Sequence, residues 1–307
     1  MSLDQDLASV RSQIDAIDDA IHDLIIRRTE LVEQVRVIKH DLPIKIQPSR
    51  EAEIIYRIVG RHRGGFPKRE LVAIWRQLIN ATLSFEGPFS VAAYLPEGEP
   101  GYWDLARDQY GAYTPMSRHA SARSLIEAVR RHEAVVGVLP LPQAGDEDPW
   151  WQHLATTEPD APRIIARLPF AGPANNRGGD LHALVICPIR LRPTGRDRAY
   201  LAADLDAAAG PGLLAAALAE VGIPPVMTAQ AREPGPPPSL LCLAEVQDFV
   251  SPEDQRLEAV RRIMGKPLHR LLVLGGYARP LETAELEGAA EASGAASRSA
   301  RANAYAP

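Results

Sequence analysis

LDQDLASVRSQIDAIDDAIHDLIIRRTELVEQVRVIK, residues 3–39, carries two interleaved seven-residue series. One is Leu3, Val10, Ile17, Leu24, Leu31 and Ile38; the other is Leu7, Ile14, Ile21, Arg28 and Val35. Together they predict a long helix with one continuous apolar stripe, packed along its whole length. Arg28 falls at the centre of that stripe, where leucine belongs. A guanidinium there is costly unless something anionic meets it.

Lys39 follows eleven residues later, and eleven helical steps return to within ~20° of the same face, roughly 16 Å along the axis. Arg11 lies beside the stripe, roughly 25 Å from Arg28 on the same rod, too far to share a small ligand within one chain. In an antiparallel second copy crossing near residue 20, Arg11 of that copy would lie beside Arg28. Three buried cations and a dimer suggest a pocket for a small dicarboxylate. The plainer reading pairs Arg11 and Arg28 with Asp or Glu on neighbouring helices, the usual fate of a buried charge.

Pro43 ends the first predicted helix, and Gln47-Pro48-Ser49-Arg50-Glu51 opens a second that runs to about His62, with Ser49 as N-cap and Glu51 in the first turn. Gly64-Gly65 stops it and Pro67 starts a third. The inner face of the third reads Leu71, Trp75, Leu78, Thr82, Glu86, so Thr82 and Glu86 put polar groups where the stripe calls for apolar ones.

Residues 5–87 resemble the all-helical chorismate mutase family. The matching stretches are LASVRSQIDAID at 7–18, LIIRRTELV at 24–32, Lys39, PSREAEI at 48–54 and LINATLSFE at 78–86. The resemblance implies a three-helix domain that binds chorismate in a homodimer sharing its first helix. It implies that Arg28, with Arg11 from the second chain, holds the two carboxylates. Lys39 would reach the ether oxygen and a carboxylate, Glu51 the ring hydroxyl, and Glu86 the ether oxygen. Arg50 would support the pocket and Thr82 would line its carboxylate end. Gln47 stands where the family often has aspartate.

These residue types suit the reaction. The rearrangement of chorismate to prephenate is pericyclic and needs no nucleophile, metal or cofactor. Folding the enolpyruvyl side chain over the ring helps, as does stabilising charge on the ether oxygen. For Glu86 to donate a hydrogen bond there it must be the acid, because a carboxylate only accepts.

Across 307 residues the formal charge is -5, and residues 1–87 balance 13 Lys+Arg against 13 Asp+Glu, which argues against a nucleic-acid surface. Cys187 and Cys242 sit in apolar runs and read as core residues, as in a reducing cytoplasm. No stretch reaches the ~20 apolar residues of a membrane span, and the N-terminus carries no signal-peptide pattern, so a cytoplasmic protein without a membrane partner is expected.

After Gly87-Pro88 the pattern changes. Predicted strands over 89–95, 134–139 and 181–187 and a helix over 122–132 suggest an α/β domain at 88–195. VAAYLPEG at 91–98 and SLIEAVRRHEAVVGVLP at 124–140 resemble the first lobe of prephenate dehydratase. The family's Thr-Arg-Phe motif is missing: Gly178-Gly179-Asp180 precedes the last strand, which begins Leu181-His182-Ala183. Pro140-Leu141-Pro142-Gln143 replaces Pro-Ile-Glu-Asn. The second lobe looks deleted, so a degenerate domain without dehydratase activity is expected.

A third unit at 196–283 reads strand 199–206, helix 212–221, strands 226–232 and 239–246, helix 252–264 and strand 269–274. This is the ferredoxin-like order. It resembles the ACT regulatory domain, including VLGGY at 273–277. By that resemblance Gly210, Gly212, Leu213 and Arg232 are candidates for binding an aromatic amino acid effector; a dimerising module is the other reading. Pro234–Pro238 is expected as a stiff hairpin loop, and residues 284–307 as a disordered tail. The function expected is a chorismate mutase, with a bifunctional mutase-dehydratase or a non-catalytic regulatory subunit as alternatives.

Overall fold

A computed structural model describes residues 3–98, 101–146, 149–173, 181–210, 212–233 and 238–287. By internal contacts the chain forms two units. The first holds residues up to Ile46 together with Leu78–Pro88; the second holds Gln47–Gln77 and the chain from Phe89 onward.

The first unit is built on helix α1, Leu3–Ile38. It ends five residues before Pro43, in a turn where the Lys45 Nζ donates to the backbone carbonyls of Lys39 and His40. None of its residues is buried within the single chain. The stripe is open: Leu7 is 45% exposed, Ile14 51%, Ile21 50% and Leu24 64%. The rest of this unit is the C-terminal half of helix α3, Lys68–Glu86, where Ile79, Thr82 and Leu83 are buried.

In the second unit, helix α2, Pro48–Arg61, buries Glu51, Ala52, Ile55 and Val59. Gln47, not Ser49, is its N-cap position. The Ser49 hydroxyl instead donates to the Arg192 carbonyl at 2.7 Å and accepts from its N–H at 3.2 Å, which ties the helix start to a distant loop. Ala52, Ile55 and Val59 share one core with Val72, Phe170, Ala278, Leu281 and Leu286.

The strands of this unit are β1 Val91–Tyr94, β2 Met116–His119, β3 Val136–Pro140, β4 Arg163–Leu168, β5 Ala183–Cys187, β6 Asp197–Asp206, β7 Pro225–Glu233, β8 Ser239–Val246 and β9 Leu268–Ala278. The helices are α4 Gly101–Tyr110, α5 Ala122–Arg130, α6 Leu213–Glu220, α7 Gln255–Met264 and α8 Thr283–Leu286, with a 3-10 turn at Trp150–Leu154. All nine strands form one sheet, ordered β2-β1-β3-β5-β4-β9-β6-β8-β7.

Separate second and third domains were expected; one mixed α/β region is found. Parallel β1, β2 and β3 lead through antiparallel β5 to β4, and β4 meets β9 at Ile164–Gly275. The physical reason is Gly275. Its φ of +113° suits glycine, and a Cβ there would lie 2.2 Å from the Ile164 carbonyl oxygen. Only a residue without a side chain lets the two halves close. Beyond the seam, β9-β6-β8-β7 pair antiparallel in the ferredoxin-like order.

Alternation along β6 shows how the region is cemented. Leu201, Ala203 and Leu205 pack against α6 and α7 residues, while Tyr200 and Ala202 join the core of the first half with Trp150 and Trp151. The expected Pro234–Pro238 loop lies outside the described residues save for Pro238, and so does the tail beyond Glu287. Thr283–Leu286, by contrast, forms a helical turn with Leu286 buried, because Leu286 joins the core that holds α2.

Candidate active site

In the first unit, α1 and the end of α3 bring three of the predicted residues together. The Arg28 Nη1 donates to the Leu78 carbonyl and to the Thr82 hydroxyl, each at 3.3 Å. Thr82 in turn donates to Leu78 O at 2.9 Å or Ile79 O at 3.0 Å, so its oxygen is held facing Arg28. Burial pushes the Arg28 pKa down, and the Glu86 carboxylate opposes that shift. Arg28 thus meets neutral acceptors directly and one carboxylate through its field, which leaves donors for an anion. Lys39 is half-buried just past the helix end, with its N–H on Val35 O at 3.0 Å. Arg11 is exposed on α1.

The other predicted residues belong to the second unit. Glu51 is buried, and its Oε2 accepts from the Arg76 Nη1 at 2.8 Å. Burial raises the Glu51 pKa; Arg76 and the Gln47 backbone oppose it. The Arg76 guanidinium also stands 4.9 Å from the centre of the Phe170 ring. Gln47 is half-buried, while Arg50 is exposed and pairs with Glu53 at 3.2 Å. Arg76 escaped the sequence reading because it lies one position beside the Leu71-Trp75-Leu78 stripe. A signal existed: a carboxylate on the inner face of α2 needs a cation, and Arg76 is the arginine in the apolar part of α3.

The effector candidates are not gathered into one cleft. Gly210 is exposed, Gly212 caps α6, Leu213 opens that helix, and Arg232 is exposed on β7. A small cleft of about 240 Å³ beside α6 and β7 is lined by Leu214, Thr228, Gln230 and Cys242 among others, and by none of the four. Both cysteines are buried and free. Among the described residues no His/Cys/Asp/Glu cluster could hold a metal, and no helix is long and apolar enough to cross a membrane.

Residues 10–87 match the family described as chorismate mutase type II. A bifunctional chorismate mutase/prephenate dehydratase from Aquifex aeolicus is 34% identical over 146 residues, 45% of this chain and 39% of that protein. A protein of the same description from Pseudomonas aeruginosa is 29% identical over 102 residues, 31% of this chain and 28% of that one. The structure of prephenate dehydratase from Streptococcus mutans superposes with a TM-score of 0.46 at 13% identity, over 63% of this chain and 100% of that one. The chain therefore matches well under half the length of these curated relatives. A helical segment of the chorismate mutase type is fused here to a mixed α/β region.

Proposed function

We propose that the chain is a chorismate mutase, converting chorismate to prephenate. The observation that carries this reading is Arg28: a half-buried guanidinium in the middle of an apolar stripe, held by Thr82 and Leu78, with Glu86 in its field. Its free donors suit a carboxylate of the substrate. Lys39, and Glu86 in its protonated form, would supply hydrogen bonds to the ether oxygen as its bond to carbon lengthens, and the pocket would hold the folded conformer from which the rearrangement proceeds.

The open stripe of α1 supports a homodimer through that helix, since a rod of about 54 Å with an apolar face requires a cover. Arg11, roughly 25 Å from Arg28 along the rod, would then serve the pocket of the second copy. The ferredoxin-like part would add dimer contacts or an aromatic amino acid effector site. Spectrophotometric loss of chorismate tests the proposal: wild type should turn it over, and Arg28→Ala should lose at least about a hundredfold in kcat/KM, some 2.7 kcal/mol of transition-state stabilisation.

A second reading, a bifunctional mutase-dehydratase, has the support of the curated relatives, each of which bears both activities in its description. Against it stands the chemistry at the start of β5, where Leu181-His182-Ala183 stands in place of the expected dehydratase motif. Formation of phenylpyruvate from prephenate at neutral pH would decide for it.

A further inference from the structure

A second group of arginines lies in the α/β region. Arg167 on β4, Arg198 on β6, Tyr277 on β9, and His182 and Arg279 just outside the strands line a cleft of about 660 Å³. Pro169, Pro280 and Leu281 give it apolar walls, and one carboxylate, Glu282, also lines it.

Behind the cleft sits the buried Glu245, which takes up one of the three guanidinium charges. Its carboxylate accepts from the Arg198 Nη1 and the Tyr200 hydroxyl, each at 3.2 Å, and from the Tyr277 hydroxyl. Arg167 has no such counterpart. Its Nη1 donates at 3.2 Å to the Tyr277 hydroxyl, a neutral phenol whose pKa burial pushes up to about 12. Among the described residues the side-chain partner of Arg167 is this phenol and its ring. Among the described residues Arg279 has long pairs, 3.6 Å to Glu282 and 3.9 Å to Glu285. The Nε–H groups of Arg198 and Arg279 are buried and meet no acceptor among the described residues. Of these cations Arg167 is the half-buried one whose side-chain partner is neutral, and it lacks an anion.

We propose that this cleft binds a small organic monocarboxylate with an apolar body, its carboxylate between Arg167 and Arg279 and its body against the proline and leucine wall. The volume lies in the range of small-molecule sites. A bare inorganic anion would leave the apolar wall unfilled, which is why the organic acid is favoured.

The site lies wholly within the second unit and does not depend on the mutase reading. The test is isothermal titration of the full chain with 3-phenylpropionate, with the neutral 3-phenylpropanamide and with sulfate. Saturable binding of one carboxylate per chain is expected, with no binding of the amide and sulfate weaker at least tenfold. Arg167→Gln and Arg279→Gln should each weaken binding at least tenfold while keeping the wild-type circular dichroism, and Arg167→Lys should recover part of the loss. Arg28→Ala should bind as wild type does, which separates this cleft from the proposed mutase pocket. The proposal is overturned if no saturable binding occurs, if the amide or sulfate binds as well as the acid, or if both glutamine variants bind unchanged. It is equally overturned if Arg28→Ala alone abolishes binding.

Discussion

Replacing Arg76 with methionine should expose what holds Glu51 in place. Both side chains are buried, and 2.8 Å separates the Nη1 from the Oε2. Methionine fills much of the same space but leaves the carboxylate without its cation. Removing one member of a buried pair costs about 3–5 kcal/mol. In wild type the Glu51 pKa is already raised, because burial outweighs the opposing field of Arg76. Without that field it rises further. A carboxyl whose folded pKa exceeds its unfolded value of about 4.3 keeps its proton in the folded chain after the unfolded chain has lost it. Stability therefore falls as pH rises across that window, by up to about 1.4 kcal/mol per pH unit, and levels off above the folded pKa. The variant's window reaches higher, so its deficit against wild type should grow as pH rises from mildly acidic to mildly alkaline. At about 2–4 °C per kcal/mol, the full deficit lowers Tm by roughly 6–20 °C. Thermal unfolding followed by far-ultraviolet circular dichroism over this pH range measures it, with Glu51→Gln/Arg76→Met expected to regain most of the loss. An Arg76→Met chain that melts within about one degree of wild type throughout would refute the reasoning.

Mixing inactive Arg11→Ala and Arg28→Ala chains should restore part of the mutase activity, since some pockets then contain both arginines; heterodimers with no recovered turnover would exclude the shared pocket. Glu86→Gln, a permanent donor, should keep more turnover than Glu86→Leu in the same chorismate assay. Gly275→Ala should lower stability by at least about 3 kcal/mol in urea unfolding, because the new methyl collides with the Ile164 carbonyl at the seam of the sheet. Prephenate incubated with the protein at neutral pH should yield no phenylpyruvate above the uncatalysed rate.

Helix α1 was legible because its two heptad series run unbroken around Arg28. The order of β6 to β9 with α6 and α7 was legible because each strand is an apolar run closed by turn residues. What escaped has physical reasons. Strand β2, Met-Ser-Arg-His, is an edge strand paired only with β1 and lacks alternation. Strand β4 is bracketed by Pro162 and Pro169 and carries two arginines, so it reads as a loop, yet it joins the two halves of the sheet. Helix α4 is short and aromatic, with no clear period. Among the candidate residues, Arg28 meets Thr82 and lies in the field of Glu86. Arg76 was not legible, because a buried pair depends on which face of α3 meets α2, and sequence spacing alone does not fix that rotation.

The core around α2 bears on how this chain can evolve and be cut. Ala52, Ile55 and Val59 are covered by Phe170, Ala278, Leu281 and Leu286, residues more than a hundred positions away, and the Tyr56 hydroxyl is fastened to the Arg279 carbonyl. A fragment ending at Pro88 would leave this helix without its cover, so the helical segment is not expected to fold alone. Substitutions at 52, 55 and 59 are constrained by those at 170, 278 and 281. Lineages that tried to shed the α/β region would first have to redesign the helix that bears Glu51.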